Sequence, residues 1–325
     1  MNPRAGKPTK KGTPTDSDII LDMGCPTQRA QGDLVVCACG ESRKGTGRKY
    51  WDRGLAQCDY SMTTYAEPQY HHGPKDPDDT MRYTYSTMHF APECANATNV
   101  AKLMDLVLRI PTNHSRFDKP EKAPLTFVHK DCKASSGREQ IIKELISKNS
   151  HAVDRWGACL NNGRNSKTDG VEPTNKADWY WHDSEANRDT TKTMIAARYD
   201  FTAALENTKD EWYFTEKRWQ ALIAGSVPVV FRNDYSEHFT PAGADSVYFY
   251  EEGKDNRSAS VQQLLDKLVA ASSDDAELMK YHAWKHRGMR RDFVKELFRG
   301  FNYIPSCRLC ELFTHGLLNH SALKT

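Results

Sequence analysis

Two basic residues stand where the patterning expects a helix to begin just after a strand. Arg138 opens the segment Arg138–Lys148, in which Ile141, Ile142, Leu145 and Ile146 mark one helical face, and the apolar run Leu125–His129 precedes it. Lys217 lies in the first turn of a second helix, where Thr215 is the expected N-cap and Trp219, Leu222 and Ile223 share a face. Cations ordinarily favour helix C-termini, where the macrodipole is negative. Two at N-termini run against that preference, and a bound diphosphate shared between each cation and its helix end would resolve the conflict. Without such a ligand both are ordinary solvated cations. Glu216 beside Lys217 can serve the helix dipole or reach a ligand hydroxyl. Glu206-Asn207 put polar groups after an Ala-Ala-Leu run that reads as a strand end, or as a short polar loop.

The elements that must position these groups alternate in type. Leu125–His129 is a strand, Arg138–Lys148 a helix, and Ala152–Trp156 the next strand, which makes a βαβ unit and hence a parallel sheet. Gly225 ends the helix that begins at Thr215, and Val227–Phe231 follows as a buried strand. Val261, Leu264, Leu265, Leu268 and Val269 give a further amphipathic helix. Ligands of such sheets sit at the carboxyl ends of the strands. Earlier in the chain, Leu34–Cys39 and Tyr60–Tyr65 read as strands, His71–Asp79 as a loop and Val100–Ile110 as a helix. The polar stretch Pro111–Pro124 is the domain boundary. The expected division is a flexible tail at 1–33, an N-terminal domain at 34–115, a C-terminal domain at 124–300 and a closing segment at 301–325.

A chain of 325 residues suits two compact domains. With 38% hydrophobic residues, 27% charged residues and a net charge of +2, it reads as soluble and without the one-sided charge of a nucleic-acid binder. No apolar run of about 18 residues is present. Any membrane anchor is therefore expected outside this chain. Nine cysteines are scattered along it, and N-x-S/T sequons occur at Asn96, Asn113, Asn256 and Asn319. Together they favour an oxidising, glycosylating compartment over the cytosol. Cys307-x-x-Cys310 has no second CxxC to complete a zinc site, and Asp76, Asp78 and Asp79 lack the Gly and terminal Glu of a calcium loop. No metal site is expected. The absence of GxGxxG, Walker and HExxH motifs removes the main support for dinucleotide oxidoreductase, P-loop and zinc-protease readings.

The segment Glu211–Val230, EWYFTEKRWQALIAGSVPVV, resembles the signature of the α1,3-fucosyltransferases of glycosyltransferase family 10, roughly D-Y-V-T-E-K-x-x-x-A-L-x-A-G-x-V-P-V-V. Flanking pieces agree. Tyr199–Asn207 is similar to Y-K-F-x-L-x-F-E-N, Cys132–Arg138 to C-x-A-x-x-x-R, and Val153–Cys159 to V-D-x-Y-G-x-C. Met62–Pro68 and Thr80–Tyr83 resemble shorter upstream motifs. The likeness is strong over about 125–300 and thin before 60. The chain departs from it at Asp200, where the family has Lys, at Leu205 for Phe, at His129-Lys130-Asp131 for V-S-N, and in the insert Asn161–Asp189. Loss of the Lys at position 200 implies a missing donor contact, or its replacement by Arg198.

This resemblance implies the α/β GT-B arrangement, two Rossmann-like domains facing a cleft. The C-terminal half would bind GDP-fucose and the N-terminal half would face the acceptor, an N-acetylglucosamine-containing glycan or glycoprotein. Arg138 and Lys217 would neutralise the diphosphate, Glu216 would hold fucose hydroxyls, and Asn207 and Tyr213 would touch the nucleotide or its ribose. Glu67 would be the general base of an inverting transfer in α1,3 linkage. No cofactor beyond the donor is implied, and a divalent metal need not be essential. The implied setting is the Golgi lumen. The resemblance also implies that Cys132 pairs with Cys159, and that Cys307 and Cys310 pair with N-terminal cysteines. Two alternatives remain open at this stage: a GT-B transferase using another GDP-sugar, and an inactive glycan-binding relative.

Overall fold

A computed structural model of the chain describes residues 123–294, except 166–168, 170–185, 211–212 and 254–255, together with three strands nearer its start. Those strands, β1 (Ile19–Asp22), β2 (Leu34–Cys39) and β3 (Tyr60–Thr63), form a parallel sheet in the order β1-β2-β3. β2 is the expected strand, and β3 covers Tyr60–Thr63 of the expected Tyr60–Tyr65. β1 corrects the reading of residues 1–33 as tail alone, since it pairs in register with β2, Ile19 opposite Leu34. The short Ile-Ile-Leu kernel was averaged away by the Lys, Pro and Gly around it. The expected helix Val100–Ile110, Glu67 and the Cys307-x-x-Cys310 pair lie outside the described residues.

The second sheet has five parallel strands and falls within the expected 124–300 unit. They are β4 (Leu125–Val128), β5 (Val153–Trp156), β6 (Phe201–Ala203), β7 (Val227–Phe231) and β8 (Tyr248–Tyr250), in the order β5-β4-β6-β7-β8. The helices between them are α1 (Arg138–Lys148), α2 (Ala186–Ala196) and α3 (Glu216–Ala224), and α4 (Arg257–Ser273), α5 (Asp275–Lys280) and α6 (Trp284–Arg287) follow β8. The class is α/β, as expected. α1 matches its predicted bounds, and α3 ends at Gly225, whose φ of 69° is the left-handed conformation that a helix C-cap needs.

Strand alternation sorts the core into two faces. Leu125 and Phe127, Phe201 and Ala203, and Val227 and Val229 join one cluster with Ile141, Ile142 and Leu145 of α1 and Val261, Leu264 and Leu268 of α4. Val128 and Val230 belong to smaller clusters elsewhere. α2 and α3 meet through Ala196, Ala197 and Ala224. Each buried Ile or Leu of the main cluster is worth about 1.5–3 kcal/mol relative to exposure. β8 and α2 were not foreseen. Tyr-Phe-Tyr is too short to show a period, and α2 buries Thr193, Ile195 and Ala196 within a Thr-rich, polar sequence.

The chain places β5 on one side of β4 and then returns to place β6 on the other. That reversal opens a crevice between the carboxyl ends of β4 and β6, the position at which doubly wound sheets bind ligands. One turn holds its edge closed. Gly157 has φ 84°, and a Cβ there would lie 2.5 Å from the His129 carbonyl oxygen. Cys159 N also donates to that carbonyl at 3.0 Å, and the Cys132–Cys159 disulfide joins the two loops. The Gly157→Ala variant is therefore expected to lose about 2–4 kcal/mol through backbone strain and a displaced β4 end. Urea unfolding of the purified protein measures it, and a loss below about 0.5 kcal/mol would contradict the close approach.

Candidate functional site

The loop after β4 is fastened to the loop after β6 by consecutive carbonyls. Arg138 Nη1 donates to Leu205 O at 3.1 Å, Ser136 Oγ to Glu206 O at 2.7 Å, and Ser136 N to Asn207 O at 2.9 Å. Ser135 Oγ adds a bond to Asn207 O at 3.2 Å. Arg138 is buried, its Nε has no hydrogen-bond partner, and Glu139 Oε1 lies 3.7 Å from that nitrogen. Burial pulls the guanidinium pKa down, against the opposing pull of Glu139 and Glu206. The cation is thus part of the wall as well as of the site.

Glu206 closes the other side. Its Oε1 accepts from Thr215 N at 2.7 Å and Thr215 Oγ1 at 2.9 Å, and its Oε2 accepts from Lys217 Nζ at 3.0 Å. Lys217 also reaches Thr215 Oγ1 at 2.6 Å and stands 3.4 Å from Glu216 Oε1. Its side chain is only 18% exposed. Burial pushes the Lys217 ammonium pKa down, but Glu206 and Glu216 outweigh it and the net shift is upward, so the group stays charged.

This corrects one expectation. Thr215 occupies the N-cap position of α3 but makes no capping bond, because its hydroxyl is drawn to Glu206 and Lys217. Gly137, at the N-cap of α1, has no side chain to cap with. By contrast Asn256 caps α4 and Asp274 caps α5 with their side chains. The two helix starts flanking the crevice therefore have no side-chain cap, which suits them to an incoming anion.

The remaining predicted residues that the structure describes fall around the same edge. Glu216 is buried at the start of α3. Asn207 Oδ1 is buried with no hydrogen-bond partner among the described residues. Tyr213 is buried and lines a cavity of about 180 Å³ with Phe214, Asp210, Phe231 and Asn233 beyond the ends of β6 and β7. On the opposite side of the crevice a wider cavity of about 440 Å³ is bounded by His129, Lys130, Trp156, Asn161, Arg164 and Lys192. Among the described residues no group of three or more His, Cys, Asp or Glu is arranged to hold a metal ion.

Position 200 needs a second correction. Asp200 precedes β6, at the sheet edge opposite the crevice, and Arg198 Nη1 donates to Asp169 O at 2.9 Å. In this chain position 200 therefore lies at the sheet edge away from the crevice.

Sequence reasoning missed His129 and Lys192 as members of the site, and took Glu206 only for a polar strand end. His129 is buried at the end of β4, with Nε2 3.4 Å from Ala203 O. Its pKa is held well below the ordinary 6.5, first by burial and then by the charges of Arg138, Lys217 and Lys192. The imidazole thus registers a converging positive field. Because the folded pKa is depressed, the stability that His129 contributes is present above pH 6.5 and is lost as pH falls below it, when the unfolded chain takes up a proton that the folded one refuses. Between pH 7.5 and 5 the wild type is expected to lose stability more steeply than His129→Gln, by up to about 1.4 kcal/mol per pH unit below 6.5. Parallel slopes in denaturant titrations of the two proteins would contradict a neutral His129.

Comparison with known proteins shows which family the chain belongs to. Residues 119–323 match the sequence model of a family described as glycosyltransferase family 10 (fucosyltransferase), C-terminal. The chain is 30% identical over 186 residues to a GDP-fucose protein O-fucosyltransferase 3 of Danio rerio, covering 55% of this chain and 34% of that one. It is 30% identical over 175 residues to an alpha-(1,4)-fucosyltransferase of Arabidopsis thaliana, covering 54% and 40%. The chain spans a third or a little more of these relatives' length. An alpha1,3-fucosyltransferase crystallised with GDP-fucose superposes with a TM-score of 0.48 at 13% identity, over 89% of this chain and 79% of that one.

Proposed function

Because the chain belongs to glycosyltransferase family 10, the fucosyltransferase family, we propose that it moves L-fucose from GDP-fucose, with inversion, onto an N-acetylglucosamine hydroxyl of a glycan in α1,3 linkage. The observation that carries this reading is the crevice between β4 and β6. Two helix starts without side-chain caps meet there, each with a cation in its first turn, beside a histidine kept neutral first by burial and then by those cations.

In this reading Lys217 and Arg138 face the diphosphate, Arg138 keeping N–H groups beyond those it gives to the Leu205 and Asp131 carbonyls. Asn207, whose buried oxygen lacks a partner, takes a hydroxyl of the ribose or a group of the base, and Tyr213 bounds the cavity in which the nucleoside lies. Glu216 holds fucose hydroxyls. The acceptor oxygen attacks the anomeric carbon from the face opposite GDP, and its proton passes to Glu67, supplied by the N-terminal half across the cleft of the GT-B arrangement. Negative charge gathers on the departing diphosphate, and fixed cations there stabilise the transition state more than the ground state. They supply the positive charge without requiring a divalent metal. The Cys132–Cys159 disulfide supports an oxidising compartment, which we take to be the Golgi lumen.

Relatives named for protein O-fucosylation and for α1,4 linkage make the acceptor the point to test. Labelled GDP-fucose, offered with a chitobiose core, an N-acetyllactosamine arm and a folded protein acceptor, is expected to label a glycan, with product NMR giving an α1,3 bond. Labelled serine or threonine would overturn the glycan acceptor, and tight glycan binding without release of GDP would overturn the enzyme reading altogether. Lys217→Ala is expected to weaken GDP binding by about 1.5–3 kcal/mol in calorimetry. Glu67→Gln is expected to lower kcat by about 10²–10⁴ at saturating acceptor while sparing GDP-fucose affinity. A kcat within a few-fold of wild type would move the base role to His71 or His72.

A further inference from the structure

The alternation of charge at the crevice does not stop at Glu216. Its Oε1 lies 3.4 Å from Lys217 Nζ on one side and 3.6 Å from Lys192 Nζ on the other. Lys192 projects from α2, the helix that emerges from the insert Asn161–Asp189 and packs against α3. It lines the 440 Å³ cavity, and its charge reaches His129 across it. Lys192 therefore stands on a helix rooted in the part of the chain that departs from the family motifs, and touches a carboxylate within the motif itself.

A carboxylate flanked by two ammonium groups is held in ionised form and in position between them. Lys217 already engages Glu206 and Thr215 and is fixed by them, so it pulls Glu216 toward the diphosphate side. Lys192 supplies the opposite pull, toward the wider cavity. Hydrogen bonds to sugar hydroxyls are directional, so the balance between these pulls decides where the carboxylate can receive one.

We infer that Lys192 is a positioning and specificity-determining residue of the donor site, which aims Glu216 at the donor sugar and not at the diphosphate. The inference rests on the assignment of Glu216 to fucose made above, and it makes the donor selectivity of this chain depend on a helix outside the shared motifs.

Removing Lys192 should separate GDP-fucose from GDP. Lys192→Met, checked for folding by circular dichroism, is expected to bind GDP within twofold of wild type and GDP-fucose about fivefold more weakly, the size of a half-exposed ion pair. Lys192→Arg should restore the ratio. In a Glu216→Gln background, Lys192→Met should have no further effect, because the residue through which it acts has lost its charge. Equal weakening of GDP and GDP-fucose by Lys192→Met would make Lys192 a diphosphate ligand and overturn the inference, as would unchanged binding of both. Wild-type protein that bound neither compound would overturn the donor-site reading itself, and this inference with it.

Discussion

The carboxylate of Glu206 is the constraint on which the site's geometry depends. Its backbone carbonyl fastens the loop that leads into α1, and its side chain fastens the first residues of α3. One residue at the end of β6 thus sets the distance between two helix starts on opposite sides of the crevice. Its burial makes the arrangement rigid, since a carboxylate withdrawn from water must keep its donors. Thr215 N, Thr215 Oγ1 and Lys217 Nζ supply them, which is why the threonine does not cap its own helix.

From that constraint follows the site's electrostatic character. Arg138, Lys217 and Lys192 converge within reach of His129, while Glu139, Glu206 and Glu216 stand among them. Without the acids, three largely buried cations would repel one another strongly in a medium of low effective dielectric. With them, the cations are held in place by paired carboxylates. Arg218 is a contrast in the same helix. It is buried against Phe214 and Phe239, donates to the Phe239 carbonyl, and burial lowers its pKa to about 9. A cation so placed serves packing.

The two cavities give the crevice a direction. The narrow one, where Tyr213, Phe214 and Phe231 meet charged side chains such as Asp210 and Arg218, lies beyond β6 and β7, and the wider one, where Trp156 and Ile195 meet Asn161, Arg164 and Lys192, lies beyond β4 and β5. The reversal of strand order between β4 and β6 produces this layout, because only there do the loops diverge to leave a gap.

Much of this was determined by the sequence alone. The apolar runs of β4 and β7, the one-sided face of α1 and the glycine at the end of α3 are local signals, set by side-chain period and backbone freedom within a few residues, and they survived folding almost unchanged. The motif from Glu211 to Val230 carried the family. What only the tertiary structure decided was long-range. That Glu206 binds Lys217 and Thr215, that Asp200 lies at the edge away from the crevice, and that Lys192 of a polar, Thr-rich helix stands beside Glu216 all depend on strand order and helix packing. Periodicity records which face of an element is buried. It carries no information about which loops from distant parts of the chain the sheet will bring together, because that is settled by how the whole core packs.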